Sequence, residues 1–520
     1  MHDVELVLVF LLVAVVGLSA ASRAAGIPYP IVMVMGGLLL GFVPIVDVTL
    51  DPDLVLLIFL PPLLYSGAFF ANLRDLRANL RVISLLAVGL VIATACVVAV
   101  VAHALIDGIP WAAAFALGAI VAPTDPLAAS AIARRLNAPR RLINVIEGES
   151  LINDGTALVI YYVAIRAVGG DFSLADAGLK FVTTAAGGVA IGLAAGWVIA
   201  EVRKRIDDPP VEVTISLLSG YAAYVPAERA GASGVLAAVT AGVYVGWRAP
   251  EISTARMRLT GYALWEVLIF LLNAVLFVLI GLQLPHILDG LSGEPLGQLA
   301  GLALAIPLTV IACRLAWVHL VTLLIRAIDR RASQRSRRAP WRERMIAGWA
   351  GMRGAVSLAA ALALKSDFPA RNELLFATFA TILGTLVLQG LTLPAVIRWA
   401  RVRDDGAEER EDLIARRRAT EAALERLEEL GREAWTYDDT VDRMRRLYEY
   451  RTRRLGARAG ETDDGDGIEH RSRKYQLTVR EVLAAQRRAI VDLRNQGVIS
   501  NDVMHRIERE LDLEDERLEI

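Results

Sequence analysis

The sequence predicts an all-α polytopic membrane protein that ends in a soluble helical region, and three observations predict it. Apolar runs succeed one another up to about Trp399, basic and base-poor loops alternate between them, and from Arg401 onward the chain turns into Glu-, Arg- and Asp-dense blocks. The formal net charge of −1 over 520 residues averages these two unlike parts, so it points to no nucleic-acid partner.

By the ~20 residues that a helix needs to cross a bilayer, spans fall at roughly 4–22, 28–46, 53–70, 82–105, 111–133, 142–167, 175–200, 211–226, 231–247, 265–283, 297–325, 345–364 and 373–399. That is about thirteen crossings. The N-terminus, Met1-His2-Asp3-Val4-Glu5, lacks the positive segment of a signal peptide, so the first run is read as a retained membrane helix. The eighth and ninth spans are separated only by a tight turn around Pro226, Glu228 and Arg229. In the seventh, Gly187, Gly188, Gly192 and Gly196 have the spacing of a close helix–helix contact.

Every second loop is basic: Arg23; Arg74, Arg77 and Arg81; Arg134, Arg135, Arg140 and Arg141; Arg203, Lys204 and Arg205; Arg248, Arg256 and Arg258; and the run from Arg326 to Arg344. The loops between them, at 47–53, 106–110 and 285–297, are poor in Lys and Arg. The positive-inside rule then places the N-terminus outside and the charged C-terminal region in the cytoplasm. The transmembrane domain is read as 1–400 and the cytoplasmic helical region as 401–520.

In that C-terminal region, 407–433, 439–455, 479–495 and 501–513 read as helices, the last with an Asn/Asp start. The acidic stretch 460–467 lacks the ligand spacing of a calcium loop and reads as a solvated linker. The two cysteines, Cys96 and Cys313, fall in apolar spans, which favours buried packing over a disulfide or metal site.

Chemistry concentrates in the fifth, sixth, eleventh and twelfth spans. Pro123 and Pro126 bracket Thr124 and Asp125, and proline denies a helix its backbone hydrogen bonds on both flanks. Two half-helices would then point their ends at one place, where free carbonyls attract a cation and a helix N-terminus favours the Asp125 carboxylate. In the sixth span, Ser150 and Asp154 share a helical face, as do Glu149 and Asn153, and Glu147 returns to about the face of Asp154. A charge at mid-membrane costs roughly 3 kcal/mol or more, so three acids in one span suggest a task rather than packing. Gly351-Met352-Arg353-Gly354 weakens the twelfth span, and Arg353 and Arg314 are deep guanidinium groups for which Glu149 and Glu147 are the available anions. Spans five and twelve are seven apart, an odd offset that gives them opposite orientation, as an inverted repeat requires.

Ala122-Pro123-Thr124-Asp125-Pro126, Gly148-Glu149-Ser150-Leu151-Ile152-Asn153-Asp154, Ser233-Gly234-Val235-Leu236 and Gly351-Met352-Arg353-Gly354 together resemble the motifs of the monovalent cation:proton antiporters, closest to the electroneutral sodium/proton exchangers of bacterial type. The resemblance covers roughly residues 1–400. It implies two inverted repeats with crossed discontinuous helices, a core domain moving against a dimerisation domain, and a homodimer in the plasma membrane. Asp154 would carry sodium and proton in turn, with Asp125, a Thr124 carbonyl and the Ser150 hydroxyl completing the sodium site. Asn153 stands where the electrogenic branch has a second aspartate, which implies one-for-one exchange. Glu149 and Arg314 would form a structural ion pair, while Arg353 would stabilise the crossed segments, with Glu147, Pro123 and Pro126 as core support.

The chain departs from the family after Pro61-Pro62, where Ser66 stands in place of an expected acid; this leaves open a changed ion preference or a role for Glu147. The expected function is exchange of protons for sodium, in pH and sodium homeostasis, with no cofactor. The alternatives are potassium/proton antiport and, from another class, a cation channel, which would need a continuous pore. An intramembrane hydrolase is disfavoured, since no His-Glu-x-x-His pair lies in a span, and a pump lacks its phosphate-binding Gly-Lys-Ser/Thr loop.

Overall fold

A chain in lipid must satisfy its backbone polar groups internally, which leaves helices or a closed barrel. The computed structural model describes residues 2–42, 55–170, 174–291, 295–328, 340–402, 406–459 and 467–518, and among these there are helices and no strands. The chain divides into two compact units, Met1–Asp404 and Asp405–Ile520.

In the first unit, seven helices among the described residues are long and apolar enough to cross a membrane: Leu73–Leu105, Trp111–Arg135, Arg140–Val168, Gly178–Arg203, Met257–Asp289, Leu296–Arg326 and Arg371–Ala400. Shorter apolar helices lie at Val9–Ala25, Tyr29–Gly41 and Leu57–Phe69. Pro209–Arg229 and Gly234–Ile252 occupy the predicted eighth and ninth spans and are joined by the tight turn expected there. The glycine ladder of the seventh span docks it onto Gly234–Ile252: a Cβ on Gly192 would lie 2.5 Å from the Ala237 carbonyl oxygen.

Several boundaries differ from the expectation. Arg74, Arg77 and Arg81 do not form a loop but ride on the helix Leu73–Ser84, started by the Asn72 side chain accepting from the Arg74 and Asp75 amides. This helix is strongly two-faced, so its charged side is solvated while its apolar side continues into the span. A π-helical turn at Leu85–Leu90 joins it to Val91–Leu105. Arg203, read as a loop cation, is fully buried because it pairs with Glu212 across the 204–208 connection. Cys96 is exposed on its helix rather than packed inside. Residues 43–54 and the basic stretch 329–339 lie outside the described residues.

The second unit contains Ala407–Leu430, Asp438–Arg458, Ile468–Asn495 and Asn501–Glu516. The last helix is capped by Ser500, whose hydroxyl accepts from the Val503 amide, rather than by an Asn or Asp. Arg487 reaches Asp512 at 2.8 Å and Asp515 at 3.3 Å, tying the last two helices together over buried Leu483 and Leu511. The acidic stretch 460–466 lies outside the described residues.

Candidate ion-binding site

Two helices of the first unit are broken in the middle, and their breaks meet. The helix Trp111–Val121 stops before Pro123, residues 122–125 are non-helical, and Pro126–Arg135 restarts with proline in its first turn. Asp125 is the N-cap of that second half, its Oδ1 accepting from the Leu127 amide at 2.9 Å. Trp341–Trp349 likewise ends before the non-helical residues 350–354, and Ala355–Leu362 follows. The two breaks are joined directly, because the Asp125 amide donates to the Met352 carbonyl at 2.8 Å. Gly354 permits this crossing: a Cβ there would lie 2.2 Å from Asp125 Oδ2.

A broken helix leaves carbonyls without partners at the end of its first half. Arg353, 1% exposed, meets this need, since its Nε donates to the Val121 carbonyl at 3.0 Å and its Nη1 to that of Gly351. Its own amide is held by Thr385 Oγ1 at 3.1 Å. A fixed cation at a helix C-terminus also complements the helix dipole.

The third component is the helix Arg140–Val168. Glu149, buried on it, receives a two-pronged bond from Arg314: Nη1 donates to Oε1, and Nη2 donates to Oε2 at 2.8 Å. Arg314 Nε also donates to the Ala347 carbonyl at 3.2 Å. Thr124 donates its hydroxyl to Glu149 Oε1 at 3.2 Å and accepts from Asn153 Nδ2 at 2.9 Å. Asn153, Thr124, Glu149, Arg314 and Ala347 thus form one buried chain of hydrogen bonds linking the acidic helix to both broken helices. Glu149 is neutralised within it.

Asp154 has opposite surroundings. It is 7% exposed, and among the described residues it has no hydrogen-bond or ion-pair partner. It faces a cavity of about 500 Å³ whose wall also includes Thr124, Asp125 and Ser150. Arg134 and Glu147 flank the same cavity and pair with each other at 2.8 Å, with Glu147 more than a third exposed. Among the described residues, the cavity wall therefore holds three carboxylates, Asp125, Glu147 and Asp154, against the one arginine, Arg134. A cation entering it meets net negative charge and several oxygen atoms.

The sequence-predicted residues thus separate into two groups. Asp154, Asp125, Thr124, Ser150, Pro123 and Pro126 come together at the cavity, whereas Asn153 lies behind it, holding Thr124. Glu147 is no partner of the deep arginines: the helical phase that brings it near the face of Asp154 also carries it two turns toward the solvated end, to Arg134. Ser66 lines the cavity but donates its hydroxyl to the Leu63 carbonyl at 3.0 Å. Sequence reasoning missed Ser130, Asn273 and Thr385. Asn273, a lone amide in an apolar run, was the visible signal among them, and it lines the cavity.

A membrane unit that is all helical among the described residues, with two crossed, broken helices beside a buried acid that has no partner among them and an oxygen-lined cavity, defines a secondary ion transporter. The chain belongs to the sodium/hydrogen exchanger family: the family described as sodium/hydrogen exchanger, transmembrane, matches residues 9–399. An uncharacterized Na(+)/H(+) exchanger of Mycobacterium tuberculosis strain H37Rv is 39% identical over 531 residues, covering 98% of this chain and 97% of that protein. The Na(+)/H(+) antiporter ApNhaP of Aphanothece halophytica is 34% identical over 430 residues, 80% of each chain. The fold is similar to that of the sodium proton antiporter MjNhaP1 from Methanocaldococcus jannaschii, with a TM-score of 0.62 at 20% identity over 77% of this chain and 99% of that one.

Proposed function

We propose that this sodium/proton exchanger carries its two cargoes in turn on Asp154, with Asp125 and the oxygens of Thr124 and Ser150 completing the sodium site. The observation that carries this reading is the contrast within one helix: Glu149 is held by Arg314, whereas Asp154 faces the cavity without a partner among the described residues. A carboxylate is neutralised either by a proton or by a cation beside it, and a sodium ion favours the ionised form. Sodium therefore expels the proton and a proton expels sodium, so neither travels with the other. Asn153 contributes an amide and no second titrating charge behind Thr124, which supports one-for-one exchange. The charge pattern of the loops supports an outside N-terminus and a cytoplasmic C-terminal region. Membership of the family supports a homodimer of the plasma membrane serving pH and sodium homeostasis.

The test is proton flux in proteoliposomes against sodium, potassium and lithium, with and without a clamped membrane voltage. Saturable flux driven best by sodium and indifferent to the clamp is expected. Faster flux with potassium would reassign the cargo, and a strong voltage dependence would overturn one-for-one exchange.

A further inference from the structure

A second cavity, of about 240 Å³, lies apart from the ion site, among Leu73–Ser84, Arg140–Val168, Leu296–Ile328 and Trp341–Trp349. Among the described residues, Arg81, Arg141, Arg326 and Arg344 stand on its wall with the single acid Glu343, an excess of three positive charges (four minus one). Its remaining wall is mostly apolar, built by Leu86, Val145, Trp317 and Val318, with Asn79 and Thr322 as its uncharged polar members. The indole is fixed in place, donating Nε1 to the Leu85 carbonyl at 3.1 Å and lying against Gly89, where a Cβ would come within 2.6 Å of the ring. Arg141 donates Nε to Asn79 Oδ1 at 3.2 Å. Arg344 Nε and Nη1 are buried and have no hydrogen-bond partner among the described residues. Buried guanidinium donors without acceptors are costly, and a bidentate anion is the group that matches their geometry.

We propose that this cavity binds an anionic phospholipid, its phosphate on Arg344 and Arg141 and its acyl chain along the apolar wall. Charge complementarity selects the headgroup. A lipid is favoured over a free phosphate because the helix Leu296–Ile328, which lines the cavity, also exposes Leu320, Leu323 and Leu324, an apolar surface that an acyl chain can follow. Its arginines lie near helix ends and belong to the basic clusters that the positive-inside rule assigns to the cytoplasm, the leaflet in which anionic lipids attract basic groups. The proposal rests on the membrane placement and not on the role of Asp154.

The full-length protein in detergent, titrated with phosphatidylglycerol, phosphatidylcholine or soluble glycerol phosphate, tests it by counting bound lipid in native mass spectra. Retention of phosphatidylglycerol over phosphatidylcholine is expected. Arg344→Gln should weaken that retention by about fivefold, the size of one arginine's contribution. Arg344→Lys should restore most of it, and Arg398→Gln, on an exposed position outside the cavity, should leave it unchanged. Should Arg344→Gln not fold, Arg141→Gln decides from the opposite wall. Equal retention of the two lipids, unchanged retention in both glutamine variants, or full competition by glycerol phosphate would overturn the assignment.

Discussion

Among its described residues, the membrane unit buries two arginine–glutamate pairs in unlike surroundings. Glu149–Arg314 sits beside the crossed breaks, and five residues further along its helix Asp154 looks into an open cavity. Arg203–Glu212, 3.2 Å apart, sits in a packed region, where Arg203 also reaches Ser253 at 3.1 Å. Trp265 there donates to Ser216 at 3.0 Å, and Tyr65 lies 6.1 Å from the Trp265 ring. A buried ion pair compensates its own charges and fastens the helices that carry it. What separates the two regions is the additional acid with room around it.

The most direct way to break this comparison is Asp154→Asn. Sodium-dependent proton movement in vesicles should fall to background while expression and thermal stability persist; retained exchange would remove Asp154 from the centre of the mechanism. Next in size come the pairs themselves. Arg314→Ala and Arg203→Ala each leave a buried carboxylate uncompensated, at about 3–5 kcal/mol, read as lost yield and lowered melting temperature. The two should diverge in transport: Arg203→Ala protein that does fold should exchange at near the normal rate per molecule, whereas Arg314→Ala protein should not.

Gly354→Ala is expected to cost about 1–3 kcal/mol by overpacking and to displace Asp125, weakening apparent sodium affinity in the flux assay. Thr124→Val should cost a comparable amount of stability, about 1–3 kcal/mol for the Glu149 and Asn153 groups left short of a partner, together with only a modest loss of turnover. A Thr124→Val protein indistinguishable from the parent would show that the buried chain of bonds is dispensable.

The broken helix at Pro123–Pro126 was legible because proline chemistry acts on its immediate neighbours and requires no tertiary information. Arg314 and Glu149 were also legible as candidates, since deep charges in apolar runs demand partners. Their pairing was not unique from sequence, because Glu147 is equally acidic; only helical phase measured against the solvated end separates the two. Arg203 was misplaced for the same reason: loop charge patterns count cations but do not show which one folds inward onto Glu212. The π-helical turns at Leu85–Leu90 and Thr385–Gln389 leave no compositional trace, so the hold of Thr385 on Arg353 was invisible. The cavity, being the space left between elements, has no residue of its own to read.

The bond from the Asp125 amide to the Met352 carbonyl has a mechanical consequence. With Arg353 gripping Val121 and Arg314 gripping both Glu149 and the Ala347 carbonyl, the two interrupted segments and the acidic helix are stitched into a single block. Exposing Asp154 to the other side by bending one strut alone would tear several of these stitches at once. Sliding the whole block past the Leu60–Phe69 wall would spare them all.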